Sequence, residues 1–255
     1  MPMRTSVRWA KLVWVFFWIF WATLAIAGAV MAAALVSTSG NLPFRFSQAW
    51  AWTVLAAANV RPKAVGTENI ERGRSYVVIA NHQSHFDALA IVLTLGIQFR
   101  WVAKKELLKI PIFGPALYAC RAIFVDRDNQ RTAIRSLRSG LRQLSPGASV
   151  LFFAEGSRSP DHRIRPFKKG GFFTAVDSGF PILPVTVNGS RRILPKGSLD
   201  LCGGTIEVVV GGPIETTPYT LKTLDELMAR TRRAIVANYQ PFYPEKNPSA
   251  QEAKA

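Results

Sequence analysis

The sequence contains little cysteine. Only two cysteines, Cys120 and Cys202, occur in 255 residues, and neither has a second cysteine or a histidine at the short spacing of a metal or redox motif. This pattern excludes a disulfide framework and a structural zinc site. Because free cysteine is among the most buried residue types, we expect both thiols to be reduced and to lie in the core.

Acidic residues are also scarce. The chain has 16 Asp and Glu against 32 Lys and Arg, so its charge indicates an anionic partner. Nucleic acid, a membrane surface and a phosphorylated substrate all fit that charge. No nucleic acid is expected, because the sequence has no recognisable nucleic-acid-binding motif. Anionic membrane lipids and a phosphorylated compound are therefore the expected partners.

Charge is absent from residues 12–35, which read LVWVFFWIFWATLAIAGAVMAAAL. As a helix, this run would slightly exceed the hydrocarbon thickness of a bilayer, whereas the apolar part of a signal peptide has about 7–15 residues. We therefore predict a membrane helix rather than a signal peptide. Arg4, Arg8 and Lys11 precede the run, which favours a cytoplasmic location for that end.

A second apolar stretch, residues 46–60, is too short to span a bilayer comfortably, and we predict that it lies in the interface. If only the first helix spans, the main domain lies outside the cytoplasm; if the two helices form a shallow hairpin, it stays inside. Arg61 and Lys63 follow the second stretch and favour the hairpin. We expect attachment to the inner cell membrane with the main domain facing the cytoplasm.

From residue 76 onward, strands alternate with helices, which predicts an α/β sandwich. The predicted strands are residues 76–80, 98–103, 122–126, 149–153, 182–187 and 205–210. The predicted helices are residues 84–95 and 129–144, one that ends near Gly179 and one that begins at Thr223. We assign residues 1–60 to a membrane anchor, 61–243 to the main domain and 244–255 to a disordered tail.

Three local features of these elements carry further expectations. Pro184 predicts that its strand is an edge strand or contains a bulge. Thr223 followed by Glu226 predicts a capping box. One face of the helix at residues 129–144 repeats arginine every three or four residues, and this face is either solvated or in contact with anionic lipid headgroups. Those arginines are Arg131, Arg135, Arg138 and Arg142.

A polar cluster follows the first strand of the main domain, in the sequence YVVIANHQSHFD at residues 76–87. Open α/β sheets place ligands at the carboxyl ends of their strands, where this cluster lies. Asp87 can fold back onto one ring nitrogen of His82 and leave the other nitrogen free as a base. No GxSxG motif supplies a protein nucleophile, so the nucleophile can be a substrate hydroxyl. On chemistry alone, His85 competes with His82 for the role of base.

Four blocks in order resemble the membrane-bound glycerolipid acyltransferases, and within them the 1-acyl-glycerol-3-phosphate acyltransferases. The resemblance covers residues 60–215. The first block is the His-x4-Asp motif of residues 81–87, and the second, at residues 104–127, contains KxEL, PxxG and a closing DR. The third, FAEGSRS, lies at residues 153–159, and the fourth is a proline-containing strand at residues 180–185.

This resemblance implies a fold and a reaction. The fold is an α/β domain with a mixed central sheet flanked by helices, behind a two-helix membrane segment. His82 would deprotonate the acceptor hydroxyl and Asp87 would orient it; only His82, and not His85, fits the first block. The acyl group would pass from acyl-CoA or acyl carrier protein to the sn-2 hydroxyl of lysophosphatidic acid, giving phosphatidic acid. Neither a cofactor nor a metal is expected.

The resemblance also implies where the phosphate of the acceptor binds. Arg158 would hold it, with Glu155 and Gly156 shaping the loop, while Lys104 and Arg127 would add positive charge. An arginine fork matches a phosphate, and glycine lets the backbone approach closely. For Glu155 a second interpretation stays open, in which its carboxylate organises the loop instead of contacting substrate.

Departures and alternatives remain at this point. Ala154 replaces the usual proline and Ser157 the usual threonine, and Arg121 stands where a glycine is common. The acceptor could be another lysolipid, such as a lyso-ornithine lipid or a lysophospholipid, because its far end is recognised elsewhere. A membrane-tethered basic module that binds lipid without catalysis is the non-enzymatic alternative, although such a module has no use for a His-Asp pair.

Overall fold

The structure, a computed structural model, describes residues 5–243, with side chains from Trp9 onward. Arg4, the side chain of Arg8 and the predicted tail at 244–255 lie outside the described residues. The helices are α1 Thr5–Val36, α2 Asn41–Ala57, α3 Phe86–Thr94, α4 Phe113–Ala119, α5 Gln130–Arg142, α6 Gly170–Ser178, α7 Ser190–Ile193 and α8 Leu224–Ala237. The strands are β1 Val60–Val65, β2 Val77–Ala80, β3 Phe99–Lys104, β4 Ile123–Val125, β5 Ser149–Phe153, β6 Ile182–Asn188 and β7 Gly204–Val210.

The strands form one mixed sheet in the order β1-β7-β6-β2-β5-β3-β4. All neighbours pair in parallel except β6 and β7, which are antiparallel. The α/β fold with a mixed central sheet is therefore confirmed. Strand β1 was not predicted, because only Val60 is buried and the rest of it, with Pro62 and Lys63, has the polar character of a sheet edge.

Pro184 does not mark an edge strand, but it does lie beside a bulge, the other predicted alternative. Strand β6 lies in the interior of the sheet, between β7 and β2. The β6–β7 ladder begins at Val185, and just beyond it the carbonyl of Pro184 accepts a hydrogen bond from Gly211 N at 2.9 Å. In the register of that ladder Ile182 would pair with residue 213, but it pairs with Ile214, so the partner side has one extra residue across Pro184. A proline, which lacks an N–H for the ladder, is found inside a sheet at such a bulge.

Two hydrophobic clusters cover the two faces of the sheet. Val78 and Ala80 of β2 contact the cluster that contains α1, α2 and α3, whereas Val77 and Ile79 contact the cluster beneath α5, α6 and α8. All four side chains are completely buried. A strand buried on both faces reads as a continuous apolar run, which is why the sequence predicted it so clearly.

Helix α1 is long and apolar enough to cross a membrane over Trp9–Val36. Leu12 and Val15 are buried in the cluster shared with α2, and Trp50 donates a hydrogen bond from Nε1 to Thr23 Oγ1 at 2.9 Å. Large side chains on its other faces are exposed, including Trp9, Trp14, Phe16, Phe17, Phe20 and Trp21. An apolar surface of this kind is typical of a segment that contacts lipid.

Helix α2 begins at Asn41, whereas the sequence predicted a start at residue 46. Pro43 lies in its first turn, where a backbone N–H has no partner within the helix, so a proline is tolerated. Within residues 5–243, α1 is the one helix that has the length and hydropathy of a membrane span. Both stretches predicted as helices are helical, and α2 packs against α1 and α3.

Two arginines fix the turn between α1 and α2 to the sheet. Arg100 is 1% exposed, and its Nη2 donates to the carbonyl of Ser39 at 2.8 Å and to the side chain of Asn41. Arg121 donates from Nε to the carbonyl of Thr38 at 3.1 Å. Its φ of 59° is left-handed, which gives a physical reason for the glycine common at this position and shows that arginine occupies it here.

Three smaller expectations also have an outcome. Cys120 is buried, and burial raises the pKa of its thiol to about 12, but Cys202 is exposed rather than in the core. The capping box at Thr223 is absent, because its hydroxyl accepts a hydrogen bond from Thr220 N instead. The arginine face of α5 is exposed on the side of the sheet opposite α1 and α2, which favours the solvated interpretation.

Candidate active site

His82 and Asp87 meet where β2 ends and α3 begins. Asp87 lies in the first turn of α3, and its Oδ2 is 2.8 Å from Nδ1 of His82. The same oxygen accepts hydrogen bonds from the backbone N–H of Gln83 at 2.6 Å and of Ser84 at 2.9 Å. The fully buried carboxylate thus holds both the loop and the ring. Because Nδ1 faces a carboxylate, it carries the proton, and Nε2 is left as the basic nitrogen.

The third sequence block fixes the ring of His82 from another strand. Phe153, at the end of β5, stacks on the imidazole with centroids 3.8 Å apart and planes 14° apart. The backbone N–H of His82 donates to Glu155 Oε1 at 2.7 Å, and its carbonyl accepts from Ser159 N at 2.8 Å. Strands β2 and β5 are neighbours, so their carboxyl ends bring the first and third blocks together.

Glu155 organises this junction. Its side chain is 2% exposed, and its second oxygen, Oε2, accepts from the backbone N–H of Arg165 at 2.9 Å. Burial raises the pKa of this carboxyl group, while the two backbone hydrogen bonds act in the opposite direction. Since both oxygens are engaged by backbone amides, the structure favours the loop-organising interpretation over direct contact with a substrate.

Arg158 is the predicted phosphate ligand, and its guanidinium lies near the loop of His82 and Asp87. The guanidinium makes no hydrogen bond or ion pair within residues 5–243, although Glu155 is close in sequence. Partial burial lowers its pKa, and the carboxylate of Asp87 opposes that effect. Gly156 precedes it with a left-handed φ of 73°, which turns the loop here. A partly buried cation without a partner is available for an anionic ligand.

The other two predicted cations are already engaged. Arg127 donates from Nη1 to the carbonyl of Gly156, so it shapes the loop of the third block. Lys104 lies 3.4 Å from Oε1 of Glu106 and is about half exposed. The structure therefore brings Arg127 to the loop of the third block through a backbone contact, while Lys104 lies at the end of β3.

His85 is a weaker candidate for the base. Its side chain reaches solvent, and the partial burial of the ring followed by the positive charge of Arg158 lowers its pKa. Among the described residues, the only carboxylate hydrogen-bonded to a histidine ring is Asp87, on His82. His85 therefore lacks the orienting partner that a positioned base requires.

Sequence reasoning missed two residues that position the loop. Asn81 is fully buried and exchanges two hydrogen bonds with the backbone of Val187 in β6, at 3.0 and 2.7 Å. Ser84 donates from Oγ to the carbonyl of Leu194 at 2.8 Å. Both belong to the NHQS motif, but their partners lie about a hundred residues away. The motif therefore drew attention to these residues without showing that they position the loop. No cluster of three or more His, Cys, Asp or Glu that could hold a metal occurs between residues 5 and 243.

Comparisons with known proteins agree with this geometry. The family model described as Acyltransferase matches residues 61–188. A 1-acyl-sn-glycerol-3-phosphate acyltransferase of Pseudomonas aeruginosa is 30% identical over 222 residues, which cover 83% of this chain and 85% of that protein. A chloroplastic enzyme of the same name from Brassica napus is 34% identical over 151 residues. That alignment covers 58% of this chain and only 44% of the plant protein, less than half its length.

The fold has a solved counterpart. The crystal structure of the 1-acyl-sn-glycerophosphate acyltransferase of Thermotoga maritima superposes with a TM-score of 0.79 and 23% identity, and covers 99% of this chain and 98% of that chain. At this identity the likeness establishes the fold. The family follows from the matched residues and from the Pseudomonas relative: the chain belongs to the acyltransferase family.

Proposed function

We propose that this protein is a membrane-bound O-acyltransferase that acts on 1-acyl-glycerol-3-phosphate (lysophosphatidic acid). It transfers a fatty acyl group from acyl-CoA or acyl carrier protein to the sn-2 hydroxyl and produces phosphatidic acid. The observation that carries the proposal is the His82–Asp87 contact of 2.8 Å beside a guanidinium, Arg158, that has no partner within residues 5–243. The relative from Pseudomonas aeruginosa, named for this activity, supports it.

The reaction needs no protein nucleophile. Nε2 of His82 removes the proton from the acceptor hydroxyl as its oxygen attacks the carbonyl carbon of the thioester. The buried carboxylate of Asp87 stabilises the imidazolium that forms. The tetrahedral intermediate collapses with cleavage of the carbon–sulfur bond, and the imidazolium returns the proton to the leaving thiolate. The products are the ester and the free thiol carrier.

Arg158 holds the phosphate of the acceptor in this proposal, with Lys104 supplying further charge. When the guanidinium near His82 contacts the phosphate, the reacting hydroxyl of the same molecule is held within reach of the base. Arg127, Glu155 and Gly156 act by shaping the loop that presents Arg158. Holding one end of the acceptor in this way lowers the entropic cost of bringing the hydroxyl to the base.

The helix pair α1 and α2 anchors the protein to the inner cell membrane, with the catalytic domain of residues 61–243 in the cytoplasm. Exposed aromatic side chains on α1 support this attachment. Anionic headgroups would meet Arg61 and Lys63, which are exposed on β1 directly after α2. The arginines of α5 lie on the opposite face of the sheet and are less suited to that contact.

A panel of acceptors tests the proposal. The purified protein in detergent receives a labelled acyl thioester and either lysophosphatidic acid, a lysophospholipid with a larger headgroup or a lyso-ornithine lipid. We expect the highest kcat/KM with lysophosphatidic acid, and no comparable transfer by His82→Ala. A higher kcat/KM with either of the other lysolipids would replace the proposed acceptor. Absence of transfer with every acceptor would refute the proposed activity.

A further inference from the structure

A cavity lies next to the loop that carries His82, on the side of β6. Its volume is about 470 Å³, which falls within the range of small-molecule sites. Gln83 and Ser190 contribute to it from the loop and from α7, and Tyr239 and Phe242 from the chain after α8. None of the described residues that line it belongs to the proposed phosphate site of Lys104, Arg127 and Arg158.

Two buried polar atoms at this cavity have no partner. Gln83 is 1% exposed and Ser190 is fully buried, yet Oε1 of Gln83 and Oγ of Ser190 have no hydrogen-bond partner within residues 5–243. The amide nitrogen of Gln83 is 3.5 Å from the carbonyl of Arg163, which leaves Oε1 as the free acceptor. Buried polar groups are normally satisfied, because an unpaired group costs the protein its desolvation.

These two atoms, Oε1 of Gln83 and Oγ of Ser190, indicate which kind of ligand the cavity would bind. An unpaired acceptor and an unpaired hydroxyl at one cavity complement an amide, whose N–H donates to Gln83 and whose carbonyl accepts from Ser190. The remaining walls include the apolar side chains of Pro195, Pro241 and Phe242, which suit a saturated carbon chain. Arg191, whose guanidinium donates to the uncharged carbonyls of Ser159 and Pro160, adds a positive charge to the lining, where a phosphate would be attracted.

We propose that this cavity binds the phosphopantetheine arm of the acyl thioester donor. The arm is an uncharged chain with two amides that ends in a phosphate, and it is common to coenzyme A and acyl carrier protein. The proposal rests on the function proposed above. Because Gln83 directly follows His82, an arm seated against Gln83 delivers its thioester to the loop of the base. Donor and acceptor then occupy separate sites on either side of one reacting centre.

The test compares donors with and without the arm. Wild type and Ser190→Ala are assayed with an acyl-CoA, with acyl carrier protein that bears the same fatty acid, and with the S-ethyl thioester of that acid. We expect the donor KM of Ser190→Ala to rise about fivefold to tenfold for the first two donors, as for one lost hydrogen bond, and to stay unchanged for the S-ethyl thioester. A rise with only one carrier would identify that carrier as the source of the arm.

Ser198→Ala is the matched control. Ser198 lies on the same segment, but its hydroxyl bonds to Asp200 at 3.2 Å and does not line the cavity. We expect it to leave all donor KM values unchanged. Thermal unfolding distinguishes a structural role of the hydroxyl from a ligand-binding role. Ser190→Ala should unfold at the wild-type temperature or above, because the hydroxyl has no partner within residues 5–243. A lower midpoint would show a structural partner and overturn the proposal.

Binding of coenzyme A separates this proposal from the proposed activity. Coenzyme A should raise the unfolding temperature of wild type, and Ser190→Ala should need severalfold more of it for the same rise. Equal responses of the two proteins, or an equal change of KM with the S-ethyl thioester, would overturn the arm site. Wild type could instead fail to acylate any acceptor while Ser190→Ala still weakens the binding of coenzyme A. That result would refute the proposed activity but support the proposed arm site.

Discussion

The two loops that meet at the site use their hydrogen-bonding groups in opposite ways. In the loop of His82, the buried oxygen of Asp87 accepts from the ring and from two backbone amides, so the dyad is fixed before any ligand arrives. In the loop of Arg158, the backbone is held by Glu155 and Arg127, but the guanidinium has no partner within residues 5–243. We propose that the first loop carries the chemistry and that the second receives the anion.

This difference predicts how substitutions divide between kcat and KM. A change in the preorganised loop removes an interaction that matters in the transition state, so kcat falls. A change of the open cation removes binding that substrate and transition state share, so the acceptor KM rises. The variants below, from the largest expected effect to the smallest, test whether this division holds.

His82→Ala removes the base, and we expect kcat to fall by at least about 100-fold, because a positioned base contributes about 10²–10⁴ to the rate. The measurement is acyl transfer to lysophosphatidic acid in detergent. His85→Ala is the matched control in the same loop and should retain most of the rate, since its ring has no carboxylate partner within residues 5–243. Equal losses in the two variants would remove the distinction between the histidines.

Asp87→Asn keeps an oxygen for the amides of Gln83 and Ser84 but loses the negative charge beside the imidazolium. We expect a fall in kcat of about 10- to 100-fold, as for one charge-assisted hydrogen bond, with little change in the acceptor KM. Steady-state kinetics measures kcat and the acceptor KM, and far-ultraviolet circular dichroism checks that the variant is folded. A variant with normal kcat would show that Asp87 serves only the loop.

Arg158→Ala should raise the KM for lysophosphatidic acid about tenfold and leave kcat within a few fold, because a charged hydrogen bond at a partly exposed site is lost. Arg158→Lys keeps the charge without the planar fork and should recover part of the affinity. An unchanged KM in Arg158→Ala would exclude this residue from the phosphate site.

Glu155→Gln should act mainly on stability. The amide replaces one of the two acceptor oxygens that hold His82 N and Arg165 N, so one buried N–H loses its partner at a cost of about 1–3 kcal/mol. For a chain of this size, thermal unfolding should shift by about 2–4 °C per kcal/mol. A large rise in the acceptor KM at unchanged stability would instead assign Glu155 to the substrate.

The sequence predicted features whose cause is local. Residues 76–80 are apolar without interruption because β2 is buried on both faces, and His82 and Asp87 are close enough along the chain for their contact to be anticipated. The long apolar helix α1 was predicted for the same reason, because its length and lack of charge lie in one continuous run.

Features that depend on partners distant in sequence could not be predicted. Strand β1 pairs with β7, which is far away in sequence, and Pro184 lies beside a bulge that exists only once β6 has paired with its antiparallel partner. The role of Glu155 depends on amides at His82 and Arg165, which no local pattern connects. The cavity at Gln83 and Ser190 also escaped the sequence, since unpaired atoms are visible only once the chain is folded.

The central claim is that the two loops act on opposite ends of one acceptor. Its most direct test is kcat/KM of wild type and Arg158→Ala with 1-acyl-glycerol-3-phosphate and with the corresponding 1-acyl-glycerol, which lacks the phosphate. We predict that the substitution lowers kcat/KM about tenfold for the phosphorylated acceptor and leaves the value for the other acceptor unchanged. An equal loss with both acceptors would contradict the account, because Arg158 would then act without the phosphate.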